Sequence, residues 1–186
     1  MKLELGFDLP FPPSQVWPSF GDLALLVSCM PGATLKSGVD ERPLRFDFAV
    51  KLGPIGAKFS GEGDLTYGEF EGVLSGAGTD RSTASRVKGQ ARFRLDEVEG
   101  ATHVSIEVDF ALGGVLAQFG RGGIVKEVAA GIVKQFADNL RRRLDGGGAD
   151  VLPARESDAL DAGKLLWGAV RNRFAKKDRK DDVDAA

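Results

Sequence analysis

The chain has 186 residues, 42% of them apolar and 28% charged, with a formal net charge of -2. That length suffices for one full-sized domain burying roughly 70% of its unfolded surface, so a core needs neither disulfides nor metals. The charge excludes a globally basic nucleic-acid binder, the single Cys29 excludes an intramolecular disulfide, and no run of about 18 uninterrupted apolar residues is present to span a bilayer as a helix.

Leu3, Leu5, Phe7 and Leu9 alternate with Lys2, Glu4, Gly6 and Asp8, the period of a strand with one buried face. An alternating N-terminus does not read as a signal peptide, so the expected compartment is the cytoplasm. Pro10, Pro12 and Pro13 open a short helix carrying Val16, Trp17 and Phe20. Asp22 caps a second helix carrying Leu23, Leu26, Val27 and Met30, which Pro31 and Gly32 stop.

From Ala33 to Leu112 the period becomes that of strands. Leu44, Phe46, Phe48, Val50 and Leu52 form one alternating set, and Ile55, Ala57, Phe59, Gly61, Gly63, Leu65 and Tyr67 another, joined by Gly53 and Pro54. Val73 to Thr79 is a weaker strand. Val87, Gly89, Ala91, Phe93 and Leu95 alternate again, as do Thr102, Val104, Ile106, Val108, Phe110 and Leu112, with a turn at Glu99 and Gly100. Consecutive hairpins make an antiparallel sheet. Glycines inside these strands cost stability unless the sheet bends, so Gly61, Gly63, Gly76, Gly78 and Gly89 predict strong curvature.

Ile124, Val128, Ile132, Phe136, Leu140 and Leu144 then fall on one helical stripe. A helix from Gly122 to Leu144 runs about 34 Å, enough to cross a concave sheet. The predicted class is therefore α+β: one strand, two short helices, about six more strands and one long helix. A bent sheet gripping a helix leaves an apolar space beneath it, unless large side chains, several of the 12 Phe among them, fill it. Buried-phase positions nominate Trp17, Phe46, Phe48, Phe59, Phe93, Phe110, Ile124 and Val128 as its lining, with Leu116 and Phe119 at its mouth.

Groups able to do chemistry are few. His103, the only histidine, lies on the polar phase of the last strand with Ser105, Glu107 and Asp109, where it faces solvent and supports no Ser-His-Asp set. Glu107 and Asp109 share that wet face, so they are expected to serve solubility. Cys29 reads as a buried, inert thiol, and no Cys or His pair has metal-ligand spacing. Gly120, Arg121, Gly122 and Gly123 read as a flexible loop gating the space, the other reading being a nest of N–H groups for an anion.

Gly146, Gly147 and Gly148 end the folded part. The reading divides the chain into a domain over 1–145, a flexible linker over 146–157, a basic amphipathic helix over 158–177 and a disordered terminus over 178–186. In the tail, Leu160, Leu166, Trp167, Val170 and Phe174 share a stripe, and seven basic residues fall between Lys164 and Lys180. A membrane surface, a partner enzyme and the protein's own domain all fit such a helix; the basic excess favours the membrane, met through Leu166, Trp167, Val170, Phe174 and the flanking Lys and Arg.

Several stretches resemble one family. Val16-Trp17, Asp22-Leu23 and Cys29-Met30-Pro31-Gly32-Ala33 resemble the opening of the carbon monoxide dehydrogenase G-subunit family, of the START-like helix-grip superfamily. Lys51-Leu52-Gly53-Pro54-Ile55 with Phe59-Ser60-Gly61 resembles its central hairpin. Leu116-Ala117-Gln118-Phe119-Gly120-Arg121-Gly122 and Gln135-Phe136-Ala137-Asp138-Asn139-Leu140 resemble the start and end of its long helix. The resemblance spans roughly Met1 to Leu144 and leaves the tail aside.

The resemblance implies a cytoplasmic accessory protein that helps a molybdenum hydroxylase of the carbon monoxide dehydrogenase type work at the membrane. Joined to an apolar space and a membrane-directed tail, it suggests a non-enzymatic carrier of a hydrophobic small molecule, a quinone above all, with no covalently bound cofactor and no nucleic-acid partner. Two other readings stay open: a pure membrane-recruitment adaptor without a ligand, and a START-like enzyme with an unrecognised site.

Overall fold

The computed structural model describes residues 1–52, 55–121 and 123–146. The Gly53-Pro54 connection, Gly122, and the linker and basic helix expected beyond Gly146 lie outside the described residues. Strand β1 (Lys2–Leu9) is followed by helices α1 (Pro13–Gly21) and α2 (Leu23–Cys29). Strands β2 (Ala33–Leu35), β3 (Leu44–Leu52), β4 (Ile55–Tyr67), β5 (Glu71–Asp80), β6 (Ser85–Val98) and β7 (Ala101–Gly113) come next. A 3-10 helix (Gly114–Arg121) then leads to α3 (Ile124–Leu144). The strands form one antiparallel sheet in the order β1-β7-β6-β5-β4-β3-β2.

Local chemistry places the breaks. Pro13 occupies the first turn of α1, where its missing N–H costs nothing. The Asp22 carboxylate accepts the Leu25 N–H at 2.9 Å and so caps α2. Gly32 follows at φ +79°, and its α-carbon passes so close to the Ala49 carbonyl that no side chain fits. The resulting turn carries the chain from α2 into β2 at the sheet edge.

The sheet bends along two rows of glycines on its concave face. Gly61 is paired with Gly78, and Gly63, Gly76 and Gly89 are paired in turn. A Cβ on Gly63 would run into the Ser75 carbonyl, and one on Gly76 would lie 2.8 Å from the Glu62 oxygen. Neighbouring backbones therefore approach closer than any side chain allows, as the glycine count in these strands implied.

The stripe of α3 is buried through Val125, Val128, Phe136 and Leu140. It spans two separate packed clusters. Toward its C-terminal end, Phe136 and Leu140 join Leu9, Val16, Phe20, Cys29, Leu95 and Val104 beneath α1 and α2. Toward its N-terminal end, Val128 joins Val50, Ala57, Phe59 and Leu116. Asn139, itself buried, donates from Nδ2 to the Cys29 carbonyl at 2.8 Å, tying α3 to the end of α2.

Candidate functional site

The two clusters leave a hollow of about 360 Å³ between the concave face and the first half of α3. The rings of Phe46, Phe48, Phe59 and Phe110 stand around it, with Leu116 at one end and Val128 on the helix side. Its floor is largely bare backbone, because Gly76, Gly78 and Gly89 lie there. The glycines thus curve the sheet and vacate the space in one step. Leu74, 41% exposed, marks where the hollow opens to solvent along β5.

No ionisable side chain lines this space among the described residues, and Gln90 is the one lining residue with a polar side chain. Burying an ion there would incur an uncompensated desolvation cost of several kcal/mol, so the hollow suits an uncharged, apolar guest. Its volume lies within the range of about 300–1,000 Å³ typical of small-molecule sites.

Six of the ten residues nominated from the sequence line the hollow together: Phe46, Phe48, Phe59, Phe110, Leu116 and Val128. The other four lie elsewhere. Trp17 and Phe93 belong to an aromatic cluster at the opposite end, where Phe20 sits 5.0 Å from Phe93 and Trp17 5.6 Å from Phe70, centroid to centroid. Tyr67 adds to that cluster and donates its hydroxyl to the Phe20 carbonyl at 2.7 Å. Phe119 packs against the cluster that holds Leu116, and Ile124 is 40% exposed at the start of α3. Lining residues not nominated from the sequence include Leu3, on the buried phase of β1 as read, Ala129, beside the helical stripe, and Leu74, on a strand whose weak pattern gave no face.

Of the loop read as a flexible gate, Gly122 lies outside the described residues, and Gly120 and Arg121 form the end of a 3-10 helix, Gly114–Arg121, that buries Leu116 completely. Its hold begins in the β5–β6 turn. The buried Asp80 carboxylate accepts from Ser82 N–H at 2.9 Å, Ser82 Oγ at 2.8 Å and Thr83 Oγ1 at 2.7 Å. Burial pushes this acid up, but the hydrogen bonds from Thr83 and Ser82 outweigh it and hold it below the usual carboxylate range. The turn so fixed presents Ser85 Oγ, which accepts the Leu116 N–H at 3.1 Å. Asp80 is therefore coupled through Ser85 to the end wall of the hollow.

The remaining reactive groups stand apart from it. His103 Nδ1 lies 2.7 Å from Asp8 Oδ1 on the outer face of the sheet, where Glu107 and Asp109 are also exposed. Cys29 is 0% exposed, and burial pushes its thiol up, away from the reactive thiolate. Among the described residues no group of three or more His, Cys, Asp or Glu could hold a metal ion, and no helix is long and apolar enough to cross a membrane. A second depression, of about 910 Å³, crosses the outer face of the sheet; its charged rim makes it unsuited to an apolar guest.

A curved seven-stranded antiparallel sheet closed by a long C-terminal helix over an apolar hollow is the START-like helix-grip architecture. A conserved protein from Geobacillus kaustophilus shares it with a TM-score of 0.67 at 15% identity, over 79% of this chain and 97% of that one. So does a protein from Arthrobacter aurescens, with a TM-score of 0.54 at 15% identity over 81% and 89% of the two chains. A protein from Thermus thermophilus gives 0.52 at 12% identity over 80% and 100%. These likenesses show the fold. Within that class, residues 6–145 match the carbon monoxide dehydrogenase G-subunit family (CoxG), and the chain belongs to that family. No curated protein sequence matches it. Family membership makes it an accessory protein associated with carbon monoxide dehydrogenase.

Proposed function

We propose that the protein is a non-catalytic carrier that holds an uncharged hydrophobic molecule, a quinone above all, in the hollow under α3. It serves a molybdenum hydroxylase of the carbon monoxide dehydrogenase type at the membrane. The observation that carries this reading is the apolar hollow of about 360 Å³, walled by four Phe rings and floored by glycine backbone. The redox setting of the family supports a quinone in particular, since a quinone is apolar, lives in bilayers and accepts electrons. The stripe of Leu166, Trp167, Val170 and Phe174 among seven basic residues supports peripheral attachment to the cytoplasmic face of an anionic membrane.

The test is organic extraction of the full chain purified from cells, followed by mass spectrometry of the extract. A co-purifying quinone or other neutral lipid, lost when Ala129 is enlarged to Phe, is the expected result. An empty extract would reduce the protein to a recruitment adaptor.

A further inference from the structure

The outer face of the sheet carries a feature that the carrier role does not use. Arg86, Lys88, Arg92 and Arg94 alternate along β6 and are all exposed on that face. Arg94 is tied to Asp96 at 2.9 Å, and Arg92 stands opposite Glu107 of β7. Arg86 and Lys88 have no carboxylate opposite them on either neighbouring strand, and neither forms an ion pair with a described residue.

Their strand neighbours explain why. Lys88 lies between Ala77 and Ala111, and Arg86 between Thr79 and Gly113. Arg86 extends over Gly113, where a Cβ would sit 2.7 Å from its Nε. Small residues on both sides leave the two cations standing over a trough, the depression of about 910 Å³ on this face. Across the trough Asp47 is already satisfied: Ser60 Oγ donates to it at 2.7 Å, and Lys36 and Lys58 lie 3.5 and 3.6 Å away. Four cations and two carboxylates line the trough, which makes it positive on a chain whose net charge is negative.

The geometry points to this trough as a docking site for an acidic, extended segment of a partner polypeptide, whose carboxylates at alternate positions meet Arg86 and Lys88. Side chains two apart on one strand are spaced about 7 Å, the spacing of alternate residues on a second extended chain. Charge complementarity of this kind sets register and speeds encounter.

The test titrates isotope-labelled full-length protein with a decapeptide of alternating Glu and Ala, read by amide chemical shifts. Shifts clustered on residues 77–79, 86–88 and 111–113 are expected. They should weaken at least fivefold in 0.5 M salt and vanish in Arg86→Glu/Lys88→Glu, while Arg86→Gln/Lys88→Gln retains a fraction and both variants keep the parent melting temperature. Shifts that persist in the charge-reversed protein, that gather only at other cations, or that do not occur would overturn the proposal. Equal shifts from glycerol 3-phosphate would reassign the trough to a lipid headgroup or free phosphate, and the acidic-polypeptide claim would fall. An empty lipid extract, by contrast, removes the carrier reading and leaves this surface standing.

Discussion

Gly89 and Phe110 face each other across β6 and β7 so closely that a Cβ on the glycine would lie 2.6 Å from that of the phenylalanine. The same carbon would sit 2.5 Å from the Asp109 carbonyl oxygen, so both side chain and backbone stand in its way. Gly89→Ala must push β7 outward. Overpacking of this sort costs about 1–3 kcal/mol, read as a lower melting temperature. Gly56→Ala is the control, because nothing lies within 4 Å of the added carbon. It should leave stability unchanged or slightly raised, and equal losses in the two variants would refute the close approach.

Ala129 projects into the hollow from α3. Ala129→Phe fills much of that volume with apolar atoms, so folding should survive while the guest loses its place. Calorimetric titration with menadione, a small uncharged quinone, should give at least tenfold weaker binding for the variant. Undiminished binding would place the quinone elsewhere on the protein.

The carboxyl group of Asp80 is held below the usual carboxylate range by Thr83 and Ser82 despite its burial. A depressed folded-state value means that the ionised form stabilises the fold above the unfolded-state value, about pH 4, and that this contribution fades as pH falls through the folded-state value. Asp80→Ala should cost about 1–3 kcal/mol at pH 7 in urea unfolding, and the gap to the parent should narrow at pH 3. A gap independent of pH would show that the turn is held by shape alone. Amide exchange at Leu116 should also quicken in the variant, since Ser85 carries the turn's order to that N–H.

Cys29 offers a simple probe of global opening. With 0% exposure and a thiol that burial keeps protonated, it should react with a disulfide reagent at pH 7 only as fast as the domain unfolds. Rapid labelling of the folded protein would contradict its place in the cluster beneath α2.

Much of the fold was legible from period alone. The alternation in β1, β3, β4, β6 and β7 placed their buried faces correctly, and the helix read from Gly122 to Leu144 lies within two residues of the observed start of α3 and ends where it ends. The glycines announced curvature because a strand tolerates them only where something comes close. Alternation, however, says which face a residue takes and not what lands on it. Phe93 is on the concave face as read, but Phe20 of α1 covers it, and the site of that helix is set by long-range packing. Trp17 follows α1 to the same end. The 3-10 helix escaped notice because one buried residue, Leu116, holds it, and its anchor Ser85 lies 31 positions back in the chain. β2 has three residues, too few for a period to register.

The division of the interior into two clusters gives α3 the mechanics of a beam resting on two separate supports. Its far end is held by aromatic rings and by Asn139, and its near end, held by Val128, roofs the hollow. Loosening the near support alone, the packing of Val128 against Val50, Ala57, Phe59 and Leu116, would widen the hollow while the aromatic end and Asn139 stay in place.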